Sequence, residues 1–360
     1  MKIGRLFLVL SLCLALVSVG RLAGTHSDSS VTSLYAQEQT SRPQAPPLKR
    51  KPASKDAKDE DQDRPQGQTA ISVAVDLVSI QVLVTDQKGN IITGLRPENF
   101  TVYEDNVKQE ISHFSPIEAN ITAVLLVEYS RLVTPFIYDV WNSIYTFAGS
   151  LRQGDWVAVI GYDIRPTILC DFTQDRSKIM DTLQRFNYPA FSESNLADAV
   201  IDTLDRVEEI EGKVAVILVS TGLDTFSKHT YDEALKKCKA ANASVYAIGV
   251  GQNVRLRYEG YMSPEVNMDY LMADNRLKTF AEYTGGEAYF PRFPTELPSI
   301  FTNISNLLRN QYSVAYASTN TKKDGKYRKL RVDVSADVNG DGKPDKLKVM
   351  TRKGYMAKEN

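Results

Sequence analysis

The sequence predicts an α/β fold: a mostly parallel sheet with helices on both faces, inserted between two β segments that together form a β-sandwich. Two observations predict this arrangement. From about residue 121 to residue 290, runs rich in Val and Ile alternate with helical patterns, as in a parallel sheet covered on both faces. On either side, apolar and polar residues largely alternate with a period of two, which is typical of strands with one covered face. Because isolated strand pairs are only marginally stable, we expect the two flanking segments to pair with each other.

The first 70 residues are predicted to lie outside the folded part. Residues 1–24 begin with Lys2 and Arg5 and continue with the apolar run Leu6–Gly20, as in a secretory signal peptide. This run is short for a transmembrane helix, although an uncleaved membrane anchor is the alternative. Residues 25–70, rich in Ser, Gln, Pro, Lys and Asp, are predicted to be a disordered linker. We therefore expect an exported protein, periplasmic or extracellular, whose only membrane contact would be an uncleaved signal segment.

Two predicted β segments flank the central domain. In the N-terminal segment, residues 71–116, alternating runs predict strands at Ile71–Val75, Val78–Asp86, Phe100–Glu104 and Gln109–Phe114. In the C-terminal segment, residues 293–360, a helix is predicted first and three strands after it: Leu297–Arg309, then Tyr312–Ala317, Leu330–Ser335 and Leu347–Thr351. We expect these two segments to build the sandwich.

The central domain is predicted to cover residues 117–292. Its strands are expected at Ala123–Val127, Trp156–Tyr162, Thr167–Asp171, Val214–Val219, Ser244–Val250 and Glu287–Phe290. Its helices are expected after the N-cap pair Thr134-Pro135 and at Ser177–Phe186, Asn195–Glu209, Tyr231–Ala241 and Leu277–Tyr283. The stretch 252–275 is predicted to be a long loop, either a protein-binding surface rich in Arg and Tyr or a lid over the last strands.

Polar residues follow two of the buried strands. The first strand ends in Glu128-Tyr129-Ser130-Arg131-Leu132, and the strand at 214–219 ends in Ser220-Thr221-Gly222-Leu223-Asp224. In an open α/β sheet, ligands bind outside the carboxyl ends of the strands. Side-chain oxygens at these ends are also the ligands that a hard cation prefers. The position of the two segments therefore indicates a cation site with some of its oxygens missing.

Short motifs in order along the chain carry a family resemblance over roughly residues 71–357. They include Val82-Leu83-Val84-Thr85-Asp86, Leu95-Arg96-Pro97-Glu98-Asn99-Phe100, Thr284-Gly285-Gly286, Gln311-Tyr312-Ser313-Val314-Ala315-Tyr316 and Arg352-Lys353-Gly354-Tyr355. With them the chain resembles a von Willebrand factor A domain, and more closely the "VWFA-related" bacterial family of the Acidobacteria type. The resemblance implies a Rossmann-like A domain that serves in protein interaction or adhesion.

The resemblance also implies a metal-ion-dependent adhesion site, whose pattern this sequence only partly keeps. The positions that match it are Glu128 for the first Asp, Ser130 for the first Ser, Leu132 for the second Ser, Ser194 for the Thr, Thr221 for the distal Asp, and Asp224, which the family usually keeps away from the metal. Mg²⁺ requires six oxygens in near-octahedral geometry. Since one carboxylate and one hydroxyl are replaced and Glu128 is a methylene longer, we expect Mg²⁺ to bind this degenerate site weakly or not at all.

A second cation motif precedes the last predicted strand. The segment Asp337–Asp345 reads Asp-x-Asn-x-Asp-Gly-x-x-Asp and resembles the short calcium loops of extracellular repeat proteins. Its predicted Ca²⁺ ligands are the side chains of Asp337, Asn339, Asp341 and Asp345 with the carbonyl of Lys343. The alternative is a solvated β-turn, because Asn-Gly and Asp-Gly are also strong hairpin signals.

The remaining observations bear on activity and partners. No nucleophile, base and acid stand at a recognised catalytic spacing, so we predict no catalytic residues and a non-enzymatic protein. The formal net charge of −1 argues against a nucleic-acid partner. Cys170 and Cys238 are predicted to be two separate buried thiols. We expect an exported protein-interaction or adhesion module with an unknown extracytoplasmic protein partner. The alternatives are a structural component of the cell envelope that binds through the sandwich and, remotely, a hydrolase.

Overall fold

A computed structural model describes residues 77–116, 120–184, 191–210 and 212–359. The predicted signal peptide, the linker and the strand at 71–75 lie outside these residues. Within the described ranges, no helix combines the length and the apolar character needed to cross a membrane.

The described elements follow one another in the order β, then alternating β and α, then β. The first four strands are β1 (Leu77–Thr85), β2 (Phe100–Glu104), β3 (Val107–Gln109) and β4 (Ile111–Pro116). The strands of the central part are β5 (Ile121–Glu128), β6 (Trp156–Tyr162), β7 (Pro166–Thr173), β8 (Lys213–Ser220), β9 (Ala243–Gly249) and β10 (Ala288–Tyr289). The last four are β11 (Tyr312–Ala317), β12 (Tyr327–Val334), β13 (Lys348–Met350) and β14 (Gly354–Met356).

The helices of the described chain lie in and directly after the central part. They are α1 (Ile137–Ser150), α2 (Arg176–Gln184), α3 (Leu196–Val207), α4 (Tyr231–Ala240), α5 (Gly251–Tyr258), α6 (Pro264–Thr284) and α7 (Leu297–Arg309). A short 3-10 turn, Thr134–Phe136, precedes α1, and another, Glu259–Tyr261, separates α5 from α6.

The two flanking segments form a β-sandwich, as predicted. One sheet has the strand order β13-β1-β11-β4 and the other has the order β14-β12-β2-β3, so each contains strands from both ends of the chain. In the first, Val82 lies opposite Tyr312, and in the second, Val102 lies opposite Val332. The side chains of these four residues pack in one buried cluster between the sheets. The sandwich therefore closes only when the first and last parts of the chain meet.

The central part is a six-stranded sheet with the order β10-β9-β8-β5-β6-β7. Its strands are parallel except for β7, which pairs antiparallel with β6. Along β5, Leu125 and Val127 belong to one buried cluster, whereas Val124 and Leu126 belong to the cluster on the opposite face. This alternation explains the continuous apolar run in the sequence, because a strand covered on both faces has no polar side.

One carboxylate links the start and the end of the central part. Asp155 Oδ1 accepts a hydrogen bond from the backbone N–H of Ile121 at 2.9 Å, where β5 begins. Its Oδ2 accepts from the Arg309 guanidinium at 2.7 Å, in the last turn of α7. The chain thus enters and leaves the central part at the same end of the sheet.

The stretch 252–275 differs most from its prediction, because it is helical and not a loop. The side chain of Ser263 accepts a hydrogen bond from the backbone N–H of Val266, and Pro264 occupies the first turn, which are common signals for the start of a helix. The resulting helix α6 begins at Pro264, well before the predicted start at Leu277. The pattern was missed because apolar residues of α6 lie on two opposite faces and hide the helical period.

Smaller differences concern single elements. The Thr134 side chain caps no helix, since residues 134–136 form the 3-10 turn and α1 begins at Ile137. The predicted strand Gln109–Phe114 is divided between β3 and β4, and β14 was not predicted. Cys170 and Cys238 are free and buried, as expected.

Candidate functional site

The two polar strand ends meet at one edge of the central sheet. Strands β5 and β8 are adjacent and parallel, with Val127 beside Val219. Glu128, the last residue of β5, and Ser220, the last residue of β8, therefore lie next to each other. This is the edge at which parallel α/β sheets bind ligands.

Glu128 is at the centre of this edge and is completely buried. Its Oε1 accepts hydrogen bonds from Ser130 Oγ at 2.7 Å and from Thr221 Oγ1 at 3.1 Å. Its Oε2 accepts from the backbone N–H of Thr221 at 2.6 Å, from Thr221 Oγ1 at 2.8 Å and from Ser220 Oγ at 2.9 Å. Both carboxylate oxygens are therefore occupied by donors of the protein itself.

Burial raises the pKa of Glu128, and the hydrogen bonds from Ser130, Thr221 and Ser220 oppose that rise. The hydroxyl of Tyr162 extends the network, since it donates to Ser220 Oγ at 2.8 Å. Burial and the nearby charge of Glu128 raise the pKa of Tyr162 well above its usual value, so Tyr162 stays a donor. The result is a chain of hydroxyl groups that ends on a buried carboxyl.

The other matched positions do not join this network. Ser194 is buried next to it, and its Oγ makes no hydrogen bond of normal geometry among the described residues, although it is close enough to Tyr162 to lower that pKa. Asp224 accepts from the backbone N–H of Ala197 at 2.9 Å and of Ser227 at 3.1 Å, so its carboxylate holds the start of α3. Leu132 lies partly exposed in the turn after β5 and offers no oxygen.

Helices α5 and α6 cover the edge. A side chain on Gly222, which has a φ of +75°, would meet the backbone oxygen of Ala273 in α6 at 2.8 Å. A side chain on Gly251, the first residue of α5, would meet the backbone oxygen of Thr221 at 2.7 Å. Tyr270 of α6 is buried above the site, and burial, followed by the charge of Glu128, raises its pKa. A lid over the last strands was one of the two alternatives that the sequence left open for 252–275, and Gly222, Gly251 and the pair Ser263-Pro264 were further signals for this cover.

The donor set does not fit Mg²⁺. A magnesium site needs oxygens that are free to face the ion, and usually keeps some of its water. Here the one central carboxylate already accepts from Ser130, Ser220 and Thr221, and the edge is closed by two helices. Within the described ranges, no three His, Cys, Asp or Glu side chains form a group that could hold a metal ion.

The loop 337–345 is folded around its own backbone. Asp337 Oδ1 accepts from the N–H of Gly340 at 2.7 Å, and its Oδ2 accepts from the N–H of Gly342 at 2.7 Å. Asn339 Nδ2 donates to Asp345 Oδ1 at 3.0 Å and reaches Asp341 Oδ2 at 3.5 Å. Asp341 Oδ1 accepts from the N–H of Lys343 at 2.8 Å. The predicted ligands are thus brought into one exposed turn, and calcium binding by them stays a prediction.

One family model matches part of the chain. Residues 124–260 match the model of the von Willebrand factor type A domain. No curated protein sequence matches the chain.

Three solved structures that resemble the chain each have low sequence identity and a TM-score below 0.5. A von Willebrand factor type A protein from Catenulispora acidiphila has 10% identity and a TM-score of 0.43, over 79% of this chain and 75% of its own. An aerotolerance-related membrane protein from Bacteroides fragilis has 12% identity and a TM-score of 0.41, over 52% and 98%. The vWF domain of the type V pili tip protein Mfa5 from Porphyromonas gingivalis has 13% identity and a TM-score of 0.40, over 53% and 95%.

Proposed function

We propose that this chain, whose residues 124–260 form a von Willebrand factor type A domain, is an exported, non-enzymatic protein-interaction module that binds its partner without a divalent cation at the strand ends. The hydrogen bonds that the Glu128 carboxylate accepts carry the proposal. Its two oxygens accept from Ser130 and Thr221, two of the positions matched to the metal site, and from the neighbouring Ser220. The degenerate adhesion site then serves as an internal support for the covering helices.

The chemistry of the substitutions supports the same conclusion. A cation would have to replace the donors of a buried carboxyl whose pKa burial has raised, and it would gain no second carboxylate at Thr221. The longer side chain of Glu128 lets its carboxylate reach the backbone N–H of Thr221 on the neighbouring strand. One residue thus joins two strand ends that a metal ion would have to join in its place.

The export part of the proposal depends on residues 1–24, with their charged start and apolar run. The non-enzymatic part depends on the sequence, in which no nucleophile, base and acid stand at a recognised spacing. We also propose Ca²⁺ at the exposed loop 337–345 from its motif Asp-x-Asn-x-Asp-Gly-x-x-Asp; the Asp337 and Asp341 side chains, which here accept from backbone N–H groups, would have to turn toward the ion. Since Lys348 stands where an EF-hand has its closing Glu, this binding would be weak.

A pull-down from cell-envelope extract, with and without EDTA, tests the proposal with the full chain as bait. We expect the same partner to be captured in both conditions. Loss of capture in EDTA that returns with Mg²⁺ would contradict a metal-free face. A broad screen of hydrolase substrates tests the non-enzymatic assignment. Turnover of any substrate that is lost when one residue of the folded part is substituted would contradict it.

Two matched variants separate this function from binding through the sandwich. Phe226 is 55% exposed beside the strand ends, where its N–H donates to the Ser194 carbonyl. Val107 is also 55% exposed, on the edge strand β3 of the sandwich. If Phe226→Glu abolishes capture of the partner and Val107→Glu does not, the partner binds at the face formed by the strand ends. The reverse result supports an envelope component that binds through the sandwich.

A further inference from the structure

Helix α6 is apolar on two opposite faces. Its inner face packs against the domain through buried residues, namely Tyr270, Ala273, Leu277, Phe280 and Ala281. Its outer face presents Met268, Leu271 and Met272, which are 56%, 51% and 49% exposed. At 100° per residue these three side chains form one stripe, about half a turn away from the buried face. A helix that is apolar on both sides is normally covered on both sides.

We propose that the outer stripe of α6 binds α6 of a second copy of this chain, in an antiparallel pair around a two-fold axis. Such an interface is made of the same patch on both copies, so the patch must complement itself. With the axis between Leu271 and Met272, helix geometry places Leu271 of each copy opposite Met272 of the other. Met268 then lies opposite Asn275, and every outward position of the stripe faces another outward position.

The charges beside the stripe complement themselves in this orientation. On one flank of α6, Glu265 and Asp269 come first and Arg276 follows about two turns later. In the antiparallel pair, the same flanks of the two copies meet. Arg276 of one copy then lies level with Asn267 of the other, between the acidic residues 265 and 269. In a parallel pair the two-fold axis would place this flank on opposite sides in the two copies, so Arg276 of one copy would not meet residues 265 and 269 of the other.

The position of Arg276 suits this contact. Its guanidinium lies 5.7 Å from the Tyr231 ring of α4, which restricts the side chain to the side of the helix. Asp269 is exposed and lies two residues, or about 3 Å along the helix axis, from the level at which Arg276 is expected. Because one helix face offers less area than a standard interface of about 800 Å² per partner, we expect a weak dimer that forms at roughly micromolar concentrations.

Sedimentation velocity of the full chain over a concentration series tests the proposal. We expect the mass to rise from one chain toward two. Leu271→Glu should weaken self-association at least tenfold, because it places a carboxylate at the centre of the pair. The matched control is Tyr145→Glu, since Tyr145 is 54% exposed on α1 and should not affect association. A chain that stays monomeric, or association that Leu271→Glu leaves unchanged, overturns the proposal.

Charge reversal tests the orientation. Asp269→Arg and Arg276→Asp should each weaken self-association several-fold, and the double variant should restore most of it, because each reversed charge again meets its opposite. Asp181→Arg, at an exposed position of α2, is the matched control. Thermal unfolding of each variant identifies a folding defect, which could not explain restoration by the second reversal. No restoration overturns the antiparallel pair. Self-association is independent of the proposed function, and neither EDTA nor Phe226→Glu should change it.

Discussion

The backbone N–H of Thr221 donates to Oε2 of Glu128 at 2.6 Å, across the ends of two neighbouring parallel strands. The same residue also donates its hydroxyl to that carboxylate at 2.8 Å. In the resemblance described for the sequence, Thr221 matches a position that holds an acid. A carboxylate there would face the buried Glu128 and repel it unless a cation lay between them. Glu at position 128 and Thr at position 221, at the ends of two neighbouring strands, are therefore chemically compatible with each other.

Removal of the Glu128 carboxyl should destabilise the domain. Glu128→Ala leaves the buried donors of Ser130, Ser220 and Thr221 without an acceptor and creates a cavity, so we expect a loss of about 3–5 kcal/mol in the free energy of unfolding. Glu128→Gln keeps the shape and one acceptor and should cost less. Urea unfolding measures both, with Glu110→Ala at an exposed position as the control. A loss for Glu128→Ala no larger than that control would show that the network contributes nothing.

Stability should increase with pH through the buried Lys213. Burial, followed by the nearby charge of Arg309, lowers the pKa of Lys213 from 10.5 to about 7, and Asp155 partly opposes this. Because the folded-state pKa is below the unfolded value, the unfolded chain binds the extra proton between pH 7 and 10.5. The free energy of unfolding then gains at most about 1.4 kcal/mol per pH unit from this group over that window, and nothing below it.

Lys213→Met should remove this part of the pH dependence. Urea unfolding at pH 7, 8 and 9 compares its slope with that of the natural chain and of Lys236→Met, in which an exposed lysine is changed. Equal slopes for all three proteins would contradict the assignment to Lys213.

The sandwich contains a buried ion pair whose partners depend on each other. Glu104 accepts from the hydroxyls of Tyr316 at 2.8 Å, Tyr355 at 2.9 Å and Ser318 at 2.7 Å, and Arg328 Nη1 lies 3.4 Å away. Glu104→Ala removes the buried partner of Arg328, leaves it only the more exposed Asp324 at 3.4 Å, and should cost about 3–5 kcal/mol. The double change Glu104→Leu with Arg328→Met should cost clearly less. Calorimetric unfolding of the single and double variants measures the difference, and equal losses would contradict the coupling.

Calcium should bind the loop 337–345 weakly. We expect a dissociation constant of about 10⁻⁴–10⁻³ M, since no residue closes the loop. Isothermal titration of the full chain with Ca²⁺ should show heat that Asp341→Ala abolishes. Asp333→Ala, an exposed change on the neighbouring strand β12, should leave it intact. Absence of calcium heat in the natural chain, or heat that survives Asp341→Ala, would assign the loop to a solvated turn.

The sequence predicted the order of elements well where the pattern has one clear period. The buried runs of β5, β8 and β9, and the helix Leu297–Arg309, were expected close to where they lie. The prediction failed at α6, because burial on one face and exposed apolar residues on the other erase the helical period. At the candidate site, the residue types indicated that some oxygen ligands of a cation site are missing. They could not indicate that Glu128 takes its partners from a neighbouring strand, since that depends on the sheet register.

The division of strands between the sheets has a mechanical consequence. The first and last described strands, β1 and β14, both belong to the sandwich, and the α/β domain is inserted between β4 and β11. A tensile force applied at the two ends of the folded part passes from one sheet of the sandwich to the other. Arg352 and Lys353, just before β14, donate to the carbonyls of Lys239 and Tyr283, so the same force also reaches helices α4 and α6 of the inserted domain. Stretching the protein between two attachments would therefore load the contact between the sandwich and the helix that covers the strand ends.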